Sequence, residues 1–415
     1  MKRVLFSMVL LLASSLSFAQ LTAVKQAKSI ANGTNPDFDK AVELIEGALT
    51  NAETKDLAET WNVAGFVHQR WYDEEYKKYY LQQEYDKDNF FNSLLKMCQY
   101  WIKCDELAQI PDEKGKVKNK YRKANAAKVM QEKIMLLNGG VEYNNQAGAL
   151  DEAEANKCYA KARDYFGGYV EVSTSPLLAD VYVQELDSFL AMNAYYASRV
   201  AYLIQDWDGI VKYAPYGVKD AEFGKHTMEL YCLALKEKGD TDKWVSALQE
   251  GVKLYPDYDF FFGSLIDYYS NNDKYADAMA FADEMLATDP GKPFYLFVKA
   301  FLYHNMKDYD NALTYYQKTT AADPEYAQAY SNIGLIYCIQ AQDFSEQATS
   351  DVNDPKYAQD QETLKAFYVK ARPAYEKARQ LKPDEQDLWL NGLYRVYYNL
   401  NLGPELDEIE KLLPQ

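Results

Sequence analysis

Between residues 255 and 323 apolar side chains recur three and four positions apart, with polar residues between them. That is the period of a helix buried along one side. The stretches NDKYADAMAFADEMLATDP and MKDYDNALTYYQKTTAADP read as two helices of one kind, and each ends at an Asp-Pro pair. Proline donates no backbone hydrogen bond, and the residue before it avoids the helical region, so each pair stops a helix. The Asp is then placed to cap the next one. Pro256, Pro290 and Pro324 stand 34 residues apart twice in succession. A fixed period of that length predicts stacked helix pairs, one pair per period.

With the proline as position 32, the unit starting at Pro293 has Ala300 at 8, Tyr303 at 11, Tyr309 at 17, Ala312 at 20 and Tyr316 at 24. The unit before it starts at Asp259, with Phe262, Tyr269, Tyr275 and Ala278 at 4, 11, 17 and 20. Two helices close up only where a small residue faces the neighbour, which the alanines supply; the tyrosines fill the space between pairs. This pattern resembles the tetratricopeptide repeat. The resemblance continues from Ala327, with Tyr330, Gly334 and Tyr337 at 4, 8 and 11, and Ala371, Tyr375 and Ala378 at 20, 24 and 27. Pro383 follows Pro324 by 59 residues, so this unit carries a 25-residue insertion around 343–365. A last unit puts Trp389 at position 4 and closes with PELDEIEKLL, which reads as a capping repeat. The resemblance implies an all-α fold, a TPR-like α-solenoid in which antiparallel helix pairs wind into a right-handed superhelix.

The first nineteen residues read differently. Lys2 and Arg3, an apolar run and Ser17-Phe18-Ala19 before Gln20 have the form of a bacterial secretory signal, with no Cys after the cleavage site to take a lipid. The expectation is an exported chain, periplasmic or secreted, of a Gram-negative envelope. No later segment is apolar enough over a sufficient length to span a bilayer as a helix. Residues 20–185 read as degenerate repeats, with Phe38, Ala41 and Ala48 spaced as in a second helix and Trp61 and Gly65 as in a first. The helix around FFNSLLKMCQYWIKCDELAQ is longer than a repeat helix, and Gly139-Gly140 and Gly167-Gly168 read as breaks. Regular repeats occupy residues 186–415, although Trp244 stands at position 20 where Ala is usual, which argues against tight packing of that pair.

The net charge of −17 becomes −19 once Lys2 and Arg3 leave with the leader, which disfavours nucleic acid and anionic lipid as partners. Five cysteines leave at least one unpaired, and Cys98 and Cys104 face different sides of one helix, so buried free thiols are expected. The three histidines, His68, His226 and His304, fall in separate helices, and no nucleophile elbow, P-loop or dinucleotide motif is present. Asp351, Asn353 and Asp354 hint at a calcium loop, but Pro355 and Lys356 stand where such a loop needs Asp or Asn and Gly. The reading is therefore not an enzyme, with no catalytic residue, metal or cofactor.

In the tetratricopeptide family, positions 2, 5, 9, 12 and 13 of each first helix line a concave groove. Here they carry Phe294, Phe297, Phe301, His304 and Asn305 in one unit, Phe260 and Asp267 in the unit before, Gln328, Ser331 and Leu335 in the unit after, and Leu390, Tyr394, Tyr397 and Tyr398 in the last. These aromatics are surplus to core positions 4, 8 and 11, so they are candidates to hold a peptide or helix of another envelope protein. Phe297 and Phe301 replace the Lys and Asn that the family's chaperone-tail clamp needs. A rival reading is a glycan-binding helical protein of the outer-membrane glycan-capture type, with sugars stacked on Trp61, Trp71, Trp101, Trp207, Trp244 or Trp389. The missing lipid-attachment Cys argues against it.

Overall fold

Five residues hold a left-handed backbone at helix-to-helix turns: Gln82, Gln205, Asp273, Lys307 and Asn401, with φ between 55° and 60°, and Gly239 joins them at φ 70°. Gln205, Gly239, Asp273 and Lys307 follow one another at 34 residues, so the period seen in the prolines is also written into the turns. Each of these turns closes with the same hydrogen bond. The N–H of the next residue donates to the carbonyl five back, from Asp206 to Ala201, Asp240 to Leu235, Lys274 to Tyr269 and Asp308 to Tyr303, all at 2.8–3.0 Å. This is the Schellman end of a helix, in which a left-handed residue satisfies carbonyls that the helix leaves open. Asp206, Asp240 and Asp308 then cap the following helix by accepting the N–H three residues on.

The computed structural model describes residues 21–256 and 258–413, and among them there are helices and no strands. The contacts divide the chain after Pro256 into two compact units. In the first, residues 21–31 form α1, followed by α2 (Phe38–Thr50), α3 (Ala58–Tyr80), α4 (Lys87–Ala108), α5 (Arg122–Glu132) and α6 (Ile134–Ala147). The same unit continues with α7 (Glu152–Thr174), α8 (Leu190–Leu203), α9 (Trp207–Tyr213), α10 (Gly224–Glu237) and α11 (Thr241–Leu254). The second unit holds α12 (Asp259–Asn271), α13 (Tyr275–Thr288), α14 (Pro293–Asn305) and α15 (Tyr309–Ala322). It ends with α16 (Ala327–Ser345), α17 (Tyr357–Leu381), α18 (Leu390–Leu400) and α19 (Gly403–Glu410). The leader expected at 1–19 lies outside the described residues.

The second unit is a stack of four helix pairs. Each pair packs on itself, and α13 on α14, α15 on α16 and α17 on α18 join successive pairs. The small positions are fully buried: Ala278, Ala300, Ala312, Ala371 and Ala378 are all at 0% exposure. Gly334 answers to Tyr375, whose ring a Cβ there would meet at 2.6 Å. The insertion is taken up as helix. α16 and α17 run to 19 and 25 residues where α14 and α15 have 13 and 14. Asn353 and Asp354 form local turns ahead of α17, in which the Asp351 and Asp354 carboxylates accept backbone N–H groups. At Trp244 the pair α10–α11 still closes, because Ala247, Leu248 and Gly251 make the buried stripe while Trp244 lies half-buried at the edge with Lys236 over its ring.

The first unit packs long helices around a larger core. α3 and α4, of 23 and 22 residues, form its main antiparallel pair. The glycine pairs expected as breaks lie inside α6 and α7 and are buried. A Cβ at Gly139 would meet Phe91 at 2.8 Å, at Gly140 Phe166 at 2.5 Å, at Gly167 Tyr213 at 2.3 Å and at Gly168 Leu95 at 2.5 Å. They are close-approach sites, where neighbouring rings and side chains rest on bare helix backbone.

His68 of α3 is 3% exposed, and neither ring nitrogen has a hydrogen-bond partner among the described residues. It lies against the rings of Trp71 and Tyr100. Burial, and then the charge of Lys96, hold its pKa down at about 4 against an ordinary 6.5. The unfolded chain therefore binds a proton that the folded chain refuses, and stability falls as pH drops from 6.5 towards 4. The loss over that window is about 3 kcal/mol at most. Urea unfolding of the wild type should show it, and His68→Phe should flatten the dependence; equal slopes in the two proteins would place the effect elsewhere. At the other end of the chain, Ala312→Leu puts a branched side chain where α14 and α15 close up and should cost about 1–3 kcal/mol. An unchanged unfolding midpoint would contradict the close approach.

Candidate functional site

The recurring turn fixes which residues of the second unit share a face. In α12 and α14 the residue whose carbonyl takes the closing bond is Tyr269 or Tyr303, at position 11. In α18 the left-handed residue is Asn401, and Leu402 N–H donates to Tyr397 at 2.9 Å. Tyr397 is thus the counterpart of Tyr269 and Tyr303, and the last first helix stands one residue later than the sequence register placed it. The burial agrees: Tyr397 is 3% exposed, as Tyr269 is 8%. Its hydroxyl donates to Glu376 at 3.1 Å and the Arg372 guanidinium lies over its ring. Tyr397 is a packing residue and is withdrawn from the candidate surface. Tyr394 moves with it to the small-residue position. It lies half-buried at the edge of the C-terminal core, stacked on Tyr398, which is 62% exposed. Leu390 is also buried.

The remaining aromatics separate in the same way. Phe260 is half-buried against Tyr258 and Phe261. Phe294 meets Phe262 edge-on at 5.6 Å and so ties α14 to the pair before it. Phe297 was expected to stand free of the helix pair. Instead its ring lies 5.5 Å from Tyr316 of α15 and is stacked at 5.0 Å on Tyr326, which leads into α16. The reason is the aromatic at Tyr326, just past the Asp-Pro stop, which folds back under α14. His304 is half-buried, edge-on to Tyr309 and Tyr316, with Nδ1 3.5 Å from the Tyr316 hydroxyl. Burial lowers its pKa below the ordinary imidazole value.

Phe301 is different. It is 36% exposed at position 9 of α14, and the same position of α16 carries Leu335, 38% exposed. Beneath them Ala300, Leu302, Gly334 and Ile336 are buried. With the corrected register α18 offers Asn391, Arg395 and Tyr398 to this face, of which the sequence reading had only Tyr398. A Schellman turn at Asn401 leaves no strong mark in the sequence, and the 59-residue gap between prolines removed the ruler that would have found it.

All five cysteines are free and buried. Burial pushes the Cys98 thiol far up, Cys104 and Cys232 up to about 12, and Cys338 up to about 11. Trp101 and Trp389 are buried, and Trp61, Trp71, Trp207 and Trp244 are half-buried. No tryptophan is fully exposed among the described residues, and the glycan reading gains no support from them.

Residues 295–326 match the family model described as tetratricopeptide repeat. Among solved structures, the C-terminal part of a TPR repeat-containing protein from Cytophaga hutchinsonii aligns at 17% identity, covering 62% of this chain and 89% of that one, with a TM-score of 0.38. MamA from Desulfovibrio magneticus aligns at 14% identity over 47% of this chain and 96% of that one, TM-score 0.31. Yeast Tom70 aligns at 13% identity over 95% of this chain and 90% of that one, TM-score 0.31. No curated protein matches the chain. The matched segment lies within the 34-residue recurrence of prolines and turns and within the stacked helix pairs of the second unit, so residues 295–326 form a tetratricopeptide repeat.

Proposed function

We propose that this protein is an exported, non-catalytic adaptor that holds a peptide or helix of another envelope protein on the first-helix face of its second unit. The repeat fold supports a protein-interaction role, because stacked pairs present a continuous surface built from one position of each repeat. One observation carries the finer reading. Phe301 and Leu335 occupy the same position on successive first helices, each more than a third exposed, over positions that are buried. Recurring one repeat apart, the two side chains offer an apolar pair to an extended or helical segment. Export rests on the sequence of residues 1–19, and the net acidic charge argues for protein rather than nucleic acid as partner.

A photo-crosslinking residue at 301 or 335, introduced into the mature chain, should capture a protein from an envelope extract. The same residue at Ala322, exposed on α15, should not. Against the captured partner, Phe301→Ala and Leu335→Ala should each weaken binding about tenfold with little change in unfolding midpoint. Phe297→Ala should lower stability by up to about 3 kcal/mol, since its partly buried ring is shared between α14, α15 and Tyr326. Equal stability losses at 297 and 301, with no crosslink from either exposed site, would make the whole stripe core and end the proposal.

A further inference from the structure

The first unit carries an apolar surface of its own. Between α7 and α8 the chain runs as a strap, residues 175–189, with short 3-10 turns at Pro176–Leu178 and Gln184–Leu186. The strap crosses the junction of α5 and α6, where Lys133 sits. Lys133 Nζ donates to Asp187 at 2.8 Å and to Ser173 Oγ at 3.0 Å, and both side chains of the ion pair are under a tenth exposed. The same ammonium lies 3.8 Å from the Tyr182 ring centre and 4.5 Å from that of Tyr169. The hydroxyls of both tyrosines donate to Asp187. The strap is therefore anchored by a closed network, and the surface it forms is set before anything binds.

Above this anchor lies a cavity of about 540 Å³. Its walls are Met130, Ile134, Val181, Val183, Leu186 and Phe189, between 38% and 82% exposed. A cluster of that many large apolar side chains in water marks a contact surface. The volume takes two or three aliphatic or aromatic side chains, and because the walls are themselves exposed, the mouth is wide. The charges on the floor are satisfied by each other, so no cation remains there for the head of a fatty acid. The strap's outward charges are acidic: Glu185 is exposed, and Asp180 is exposed and only loosely paired with Arg122 at 3.7 Å.

We propose that this strap cavity docks an amphipathic segment of a partner protein, its apolar side chains at helical spacing seated in the cavity and its basic residues against Asp180 and Glu185. The net negative charge of the chain draws a basic segment in and repels an acidic one.

The test uses the full mature chain and two model peptides with leucines at helical spacing, one with lysine and one with glutamate as its polar residues. Binding is read by fluorescence anisotropy at physiological salt. The Leu/Lys peptide should bind and the Leu/Glu peptide should not. Val183→Ser with Leu186→Ser changes no charge and should weaken the Leu/Lys peptide at least about tenfold. Asp180→Asn with Glu185→Gln should weaken it and flatten its salt dependence. Phe301→Ala should leave it unchanged, which separates this surface from the repeat face. Both substituted pairs are exposed, so an unaltered unfolding midpoint is expected of each variant. Equal binding of the two peptides, or full binding by the serine variant, overturns the proposal. So does Nile red that fills the cavity and is not displaced by the Leu/Lys peptide, since that result makes it a small-molecule site. A wild-type dimer that the serine variant dissolves in sedimentation assigns the surface to a second copy of the chain instead.

Discussion

Stacking in both units depends on side chains resting directly on helix backbone. Tyr375 shows the geometry. Its ring lies against Gly334 of α16 and Gly392 of α18, where a Cβ would come within 2.6 and 2.2 Å of it, and it is 5% exposed. In the first unit Phe166 rests on Gly140 and Tyr213 on Gly167 in the same manner. A glycine inside a helix costs roughly 1 kcal/mol against alanine. Burying a large ring that would otherwise meet water returns roughly 1.5–3 kcal/mol. The exchange favours the contact only if the ring is well covered, and Tyr375 and Phe166 are both buried. The alanines at positions 8, 20 and 27 do the same for helix on helix with one carbon more.

That constraint decides what could be read from the sequence. Where the period is intact, small and large residues alternate in register with the prolines, and the pairs α12 to α15 were legible to within a residue. Gly139-Gly140 and Gly167-Gly168 were read by the local rule that paired glycines break helices. Tertiary contact overrode it, because Phe91, Phe166, Tyr213 and Leu95 lie on them, and those partners come from as far as 73 residues away along the chain. The length of α4 was visible because its apolar pattern runs on without a stop.

The candidate face was legible only in part. Position 9 needed nothing beyond the period, and Phe301 stands open there. Phe297 needed knowledge of Tyr326, which lies outside the helix pair and returns to it. Tyr394 and Tyr397 needed the register of α18, which only the left-handed turn at Asn401 reveals. Sequence patterns locate a stripe on a helix, but whether a ring on its edge is covered depends on loops, and loops carry no period.

The five thiols have a chemical consequence for the lifetime of the fold. In the native state each is buried and unpaired, and those with shifted pKa values are held as neutral thiols that neither attack disulfides nor oxidise readily. The unfolded chain has no such shield. In an oxidising medium its five sulfurs, no longer held as buried thiols, are partly thiolate at ordinary pH and can join in pairs that the native backbone does not permit. Unfolding is then a one-way passage, since a scrambled bridge blocks return. The survival time of the molecule in such a medium is governed by how rarely it opens, not by how strongly equilibrium favours the closed form.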